Sequence, residues 1–232
     1  MNRYLLPYIR KDLEKGKMVF LGGPRQVGKT TLAKAVLKGA FRGKGRYLNW
    51  DFDDDKLVIK KKQWVDSDAL LIFDELHKNP KWKNWVKGVY DVQREKHNFL
   101  LTGSARMNVY RKGSDSLMGR YFNYRLHPFT LDELPPGISL KEGLKRLLTV
   151  GGFPEPFIEN AELFHRRWQL ERFSSILKED ARDLALVKDI QNLQLFTTML
   201  RKCVGGMVVL SNIAGDIQVS PTTAAKWLEA LE

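Results

Sequence analysis

A single cysteine, Cys203, occurs in the 232 residues, so no disulfide can close within the chain and an intracellular setting is expected. No apolar run approaches the ~20 residues that a membrane-spanning helix needs. The first residues, Met1-Asn2-Arg3-Tyr4-Leu5-Leu6-Pro7, have neither the apolar middle nor the small-residue cleavage site of a secretion signal. A cytoplasmic protein with no membrane partner is the expectation. Acidic residues are in short supply, 27 Asp and Glu against 39 Lys and Arg, for a net charge of +12. Residues 1–62 carry +10 of that and residues 63–128 carry +4, whereas 129–203 are balanced and 204–232 are slightly acidic. Such a surface attracts DNA or an acidic protein, or it simply keeps the chain solvated; the two readings stand side by side.

What is present begins with Gly23-Pro24-Arg25-Gln26-Val27-Gly28-Lys29-Thr30, a complete G-x-x-x-x-G-K-T loop. The apolar run Met18-Val19-Phe20-Leu21 precedes it, and a helical run opening on Thr31 follows, the strand and helix context the motif requires. Backbone N–H groups in such a turn form an anion nest, and the helix start adds its own unsatisfied donors. The loop, residues 23–31, is therefore expected to bind a nucleoside triphosphate. Lys29 is expected on the β- and γ-phosphates and the Thr30 hydroxyl on magnesium. The tetrapeptides Asn-Lys-x-Asp and Thr-Lys-x-Asp, which read guanine, do not occur, which favours ATP.

Ala69-Leu70-Leu71-Ile72-Phe73-Asp74-Glu75 is an apolar run ending in two carboxylates, the pattern of a strand buried on both faces. Asp74 is expected in the magnesium shell and Glu75 as the group that orients or deprotonates an attacking water. Phe99-Leu100-Leu101-Thr102-Gly103-Ser104 reads as a third strand, lying beside the first two, with Thr102 or Ser104 on the γ-phosphate or the water. Arg120, just before a strand over 121–126, is a candidate arginine finger for its own site or a neighbouring chain's, and Arg106 is a weaker one. The acidic cluster Asp51, Asp53, Asp54 and Asp55 fits helix capping and dipole pairing better than a metal site.

Strands alternating with helical stretches imply a parallel sheet of about five strands. A lead-in helix is expected over 3–16. Another is expected over 80–95, with Pro80 at its first position and Trp82, Trp85, Val86, Val89, Tyr90 and Gln93 on one face. From 129 onward the pattern is helical. Residues 207–232 have helix-turn-helix spacing, with Ser220 as cap and Thr222, Thr223 and Lys226 on the outer face of the second helix. The tail is acidic, which does not suit gripping phosphates, and it stops inside that helix, which reads as a truncation. Three parts are expected: 1–130, 131–203 and 204–232.

Taken together, several segments resemble the prokaryotic ATP-binding proteins of the AAA superfamily. They are Gly22 to Leu32, Asp74-Glu75, Leu101 to Ser104, Gly119-Arg120, Leu126-His127-Pro128-Phe129 with Glu133, and Gly151-Gly152-Phe153-Pro154-Glu155. In that family an α/β P-loop ATPase domain, a three-layer sandwich with a mainly parallel sheet, precedes a helical region, a winged helix and a nuclease-like domain. The resemblance implies magnesium-dependent ATP binding and hydrolysis and makes Arg120 an arginine-finger candidate; a homo-oligomer is one partner the chain could have. The Gln218-Val219-Ser220 turn departs from the usual Gly-bearing turn, which weakens DNA reading by the tail. An ATPase that switches the arrangement of sheet domain and helical region is one reading. A DNA-binding or protein-interaction regulator with ATP as a conformational ligand is the alternative.

Overall fold

The computed structural model describes residues 3–103, 117–175 and 190–231. Ser104 and Arg106 lie outside them. The chain divides into two compact units, one running to Asn160 and a second from Ala161.

The first unit is built on five parallel strands: β1 (Met18–Gly22), β2 (Gly45–Asn49), β3 (Leu70–Asp74), β4 (Asn98–Thr102) and β5 (Tyr121–Arg125), in the order β2-β3-β4-β1-β5. β4 lies between β3 and β1, as the sequence led one to expect. Alternate residues of each strand feed opposite faces. Phe20, Leu48, Leu71, Phe73, Phe99 and Leu101 face one core, with α3 (Asp53–Lys61) and α4 (Trp82–Gln93). Val19, Leu21, Leu70, Ile72 and Leu100 face the other, with α1 (Leu6–Glu14) and α2 (Lys29–Gly39). Three layers result.

The Trp stripe of α4 is core: Trp82, Val86, Val89 and Tyr90 are buried, and Trp85 packs on Phe73 with ring centroids 5.4 Å apart. The helix begins two residues after Pro80, because Asn79 is spent on a turn in which its side chain accepts from the Lys81 N–H and its carbonyl from the Trp82 N–H. The acidic cluster also differs in detail. Asp53, Asp54 and Asp55 occupy the first turn of α3, where the helix dipole favours them, but the cap residue is Phe52. Among the described residues, no group of three or more His, Cys, Asp or Glu is placed to hold a metal ion.

The expected junction at 130 is not where the contacts divide. The 3-10 turn Leu131–Glu133, α5 (Leu140–Thr149) and α6 (Pro154–Glu159) belong to the first unit. Phe129 explains why: its N–H donates to the Gly152 carbonyl at 2.7 Å and its ring meets Phe157 edge-on at 5.6 Å. Gly152 has no room for a Cβ, which would lie 2.5 Å from the Phe129 carbonyl oxygen.

The second unit contains α7 (Glu162–Ser175), α8 (Ile190–Lys202), α9 (Leu210–Asp216) and α10 (Pro221–Leu231). Leu193, Phe196, Ile213, Ala214, Ile217, Ala224 and Trp227 form its core. The corner between α9 and α10 turns at Gln218, which accepts φ +57 where glycine would be the unstrained choice. Ser220 Oγ then accepts from the Thr223 N–H at 3.0 Å, starting α10. No described helix is long and apolar enough to cross a membrane.

Candidate functional site

Parallel strands deliver their carboxyl ends to one edge of the sheet. Register decides which side chains meet there: Leu21 pairs with Thr102 and Thr102 with Asp74, so the loop after β1, the carboxylate of β3 and the hydroxyl of β4 lie side by side.

The loop itself is held tightly. Gly23 has φ +152, and a Cβ on it would lie 2.5 Å from the Leu126 carbonyl oxygen. Gly28, at φ +94, and Gln26, at φ +63, turn the chain into α2. Left-handed residues of this kind make successive N–H groups converge. Lys29 is buried, and its ammonium lies over the loop, donating to the carbonyls of Gly23 and Pro24 at 3.0 and 2.9 Å.

Asp74 is 5% exposed and is gripped by three hydroxyls. Thr30 Oγ1 donates to its Oδ2 at 2.9 Å, Tyr47 Oη donates to the same oxygen, and Thr102 Oγ1 donates to Oδ1. Burial and the bond to Asp74 push the Tyr47 hydroxyl pKa upward, so it stays a donor. Thr102 is fully buried. Its proton is directed at Asp74, whereas the sequence reading placed Thr102 or Ser104 on the γ-phosphate or the attacking water.

Glu75 follows at φ +56, ψ +20, a left-handed turn that a non-glycine residue adopts at a cost of about 1 kcal/mol. That turn swings its carboxyl out of the strand direction. Burial, and next the neighbouring Asp74 charge, raise its pKa above the ordinary carboxylate value. His77 Nε2 lies 3.5 Å from Glu75 Oε2. Burial lowers the His77 pKa to about 4, so the imidazole is neutral at pH 7.

Arg120 sits elsewhere. Its carbonyl accepts from the Met18 N–H, at the amino end of β1, whereas the loop leaves the carboxyl end. The four residue steps of β5 from Tyr121 to Arg125 alone measure ~13 Å, and the guanidinium is turned onto Asp91 of α4 at 2.8 and 3.3 Å. An own-chain contact with a phosphate on the loop is thereby removed.

Two residues at the site had no sequence signal. Tyr47 is on an edge strand, opposite Ile72, and reaches Asp74 diagonally, a placement fixed by register alone. Arg3 precedes α1, yet its Nη1 donates to the Val27 carbonyl of the loop at 3.1 Å.

Residues 15–135 match the model of the family described as AAA domain, and residues 141–232 match a domain of unknown function. Uncharacterized proteins of Mycobacterium tuberculosis and Mycobacterium bovis are each 27% identical over 223 residues, covering 96% of this chain and 49% of theirs. The chain thus spans about half the length of the curated relatives it matches. Among solved structures it is similar to the Thermotoga maritima RuvB Holliday junction branch migration motor, with TM-score 0.48, 18% identity and coverage of 100% of this chain and 87% of that one. It is also similar to Aeropyrum pernix ORC1 in complex with DNA, at TM-score 0.43 and 12% identity over 100% and 83% of the two chains. A third is the Bacillus subtilis DNA clamp loader delta protein, at TM-score 0.44 and 12% identity over 97% and 87%.

Proposed function

The chain belongs to the AAA-domain family, and from that premise we propose that it binds ATP with magnesium and hydrolyses it, with water as the acceptor. The observation that carries this reading is the 2.9 Å contact between Thr30 Oγ1 and Asp74 Oδ2 at the mouth of the loop. Hydroxyl and carboxylate oxygens are the donors a hard divalent cation takes, so the pair fits magnesium, with Thr30 and Asp74 as its holders. When bound, magnesium neutralises charge on the β- and γ-phosphate oxygens.

The chain's own groups account for the rest. The loop amides and Lys29 bind and orient the phosphates. Glu75, its pKa raised above the ordinary carboxylate value by burial and by Asp74, holds and deprotonates the attacking water. Thr102 and Tyr47 fix the Asp74 carboxylate. Arg120, at the far end of the sheet, serves the site of a neighbouring copy in a homo-oligomer. Hydrolysis then changes the arrangement of the sheet domain and the helical region that follows it.

The test compares Lys29→Ala with Glu75→Gln. The first loses ATP binding; the second keeps binding and loses phosphate release. Phosphate release equal to wild type in both variants sinks the assignment. The +10 charge of residues 1–62 favours a second reading, a DNA-binding regulator in which ATP is only a conformational ligand. Salt-dependent DNA binding without ATP turnover selects it.

A further inference from the structure

Arg3 is 6% exposed and joins three segments that are distant in sequence. Its Nε donates to Glu133 Oε1 at 2.8 Å, its Nη1 to the Val27 carbonyl at 3.1 Å, and its Nη2 to the His127 carbonyl. The guanidinium lies 4.7 Å from the Phe129 ring centroid. Glu133, 1% exposed, also accepts from the Tyr4 N–H at 2.9 Å and the Thr130 N–H at 3.3 Å. The planar fork of arginine is what allows one side chain to serve three acceptors in fixed directions.

Val27 is the loop residue immediately before Gly28 and Lys29. In a trans peptide the C=O and the next N–H point in opposite directions. Holding the Val27 oxygen on Arg3 therefore turns the Gly28 N–H away from Arg3. The positive φ at Gly28 lets the backbone accept that orientation without strain. We propose that Arg3, itself oriented by Glu133, sets the Val27–Gly28 peptide plane and so pre-organises the loop's phosphate-binding amides. Arg3 is a positioning residue in this scheme. The proposal rests on the reading of the loop as a nucleotide site.

The consequence is a binding defect at a distance from the ligand. Arg3→Lys retains the charge, but one ammonium cannot span the three acceptors in the same directions. Arg3→Met combined with Glu133→Leu removes both charges, so no carboxylate is left buried and unpaired. Titration calorimetry with ADP, on wild type and both variants, reads the effect directly. Both variants are expected to raise Kd by about tenfold, the usual loss when an outer support of a binding group is removed. KM for ATP rises with it, while kcat at saturation falls far less.

Wild-type ADP affinity in either folded variant overturns the proposal and makes the ion pair a structural staple only. A loss confined to kcat overturns it as well. A wild-type chain that binds no ADP brings down the nucleotide reading and this proposal together, whereas equal binding by wild type and variants brings down this proposal alone.

Discussion

Replacing Thr102 by valine isolates the hydroxyl cage around Asp74. Valine keeps the shape of threonine, so no cavity opens, and only the donor to Asp74 Oδ1 disappears. Thr102 is wholly buried and Asp74 nearly so, which leaves no room for water to replace the lost bond. A hydrogen bond to a charged group contributes ~1.5–3 kcal/mol. We therefore expect a destabilisation of about 2 kcal/mol, a fall of roughly 4–8 °C in Tm for a unit of this size. Scanning calorimetry should place that fall in the transition that ADP displaces upward. Because Asp74 is the proposed magnesium holder, the magnesium concentration for half-maximal ATP turnover should rise about 10–100-fold. Thr102→Ser supplies the control: it keeps the donor and removes one methyl, at a cost of about 1 kcal/mol, and should keep the wild-type magnesium requirement. A valine variant with wild-type Tm and magnesium dependence would refute the cage as the device that positions Asp74.

Glu75→Gln should stabilise the nucleotide-free protein at neutral pH, because it removes a charge that burial and Asp74 oppose. The folded pKa of Glu75 is raised, so ionisation in the folded state costs stability as pH climbs through that value. The advantage of Gln should therefore shrink as pH falls through the raised pKa and vanish below the ordinary carboxylate value, in paired thermal melts. His77, with its pKa lowered to about 4, acts in the opposite sense between about pH 6.5 and 4, which is why the difference between the two proteins is the quantity to read. Arg120→Ala should leave ADP affinity untouched and change stability little, since its pair with Asp91 is exposed. Its loss of ATP turnover should appear only at protein concentrations that support assembly; equal turnover at every concentration would remove Arg120 from the reaction.

The phosphate loop, the Asp74-Glu75 pair and the five strands were legible because their signals are local. A loop motif occupies eight consecutive residues, and a buried parallel strand is a short apolar run. Alternation of strand and helix then leaves few ways to order them. The stripe of α4 was equally readable, since one helical period decides which residues face the sheet. The cap at Ser220 came from turn chemistry, whereas the left-handed corner at Gln218 did not.

Several contacts that pass between segments had to wait for the tertiary structure. Register alone placed Thr102 and Tyr47 on Asp74, across 28 and 27 residues of sequence. Parallel strands also settled that Arg120, though it adjoins β1, stands at the wrong end of the sheet to reach its own chain's loop. Arg3 meets Val27 and Glu133 across 24 and 130 residues, and no periodicity encodes such a meeting. The sequence determined the loop, Lys29, Thr30 and the Asp74-Glu75 pair, because motif and strand are written in neighbouring residues. The fold decided which groups meet and which face away, because those relations depend on distances through space.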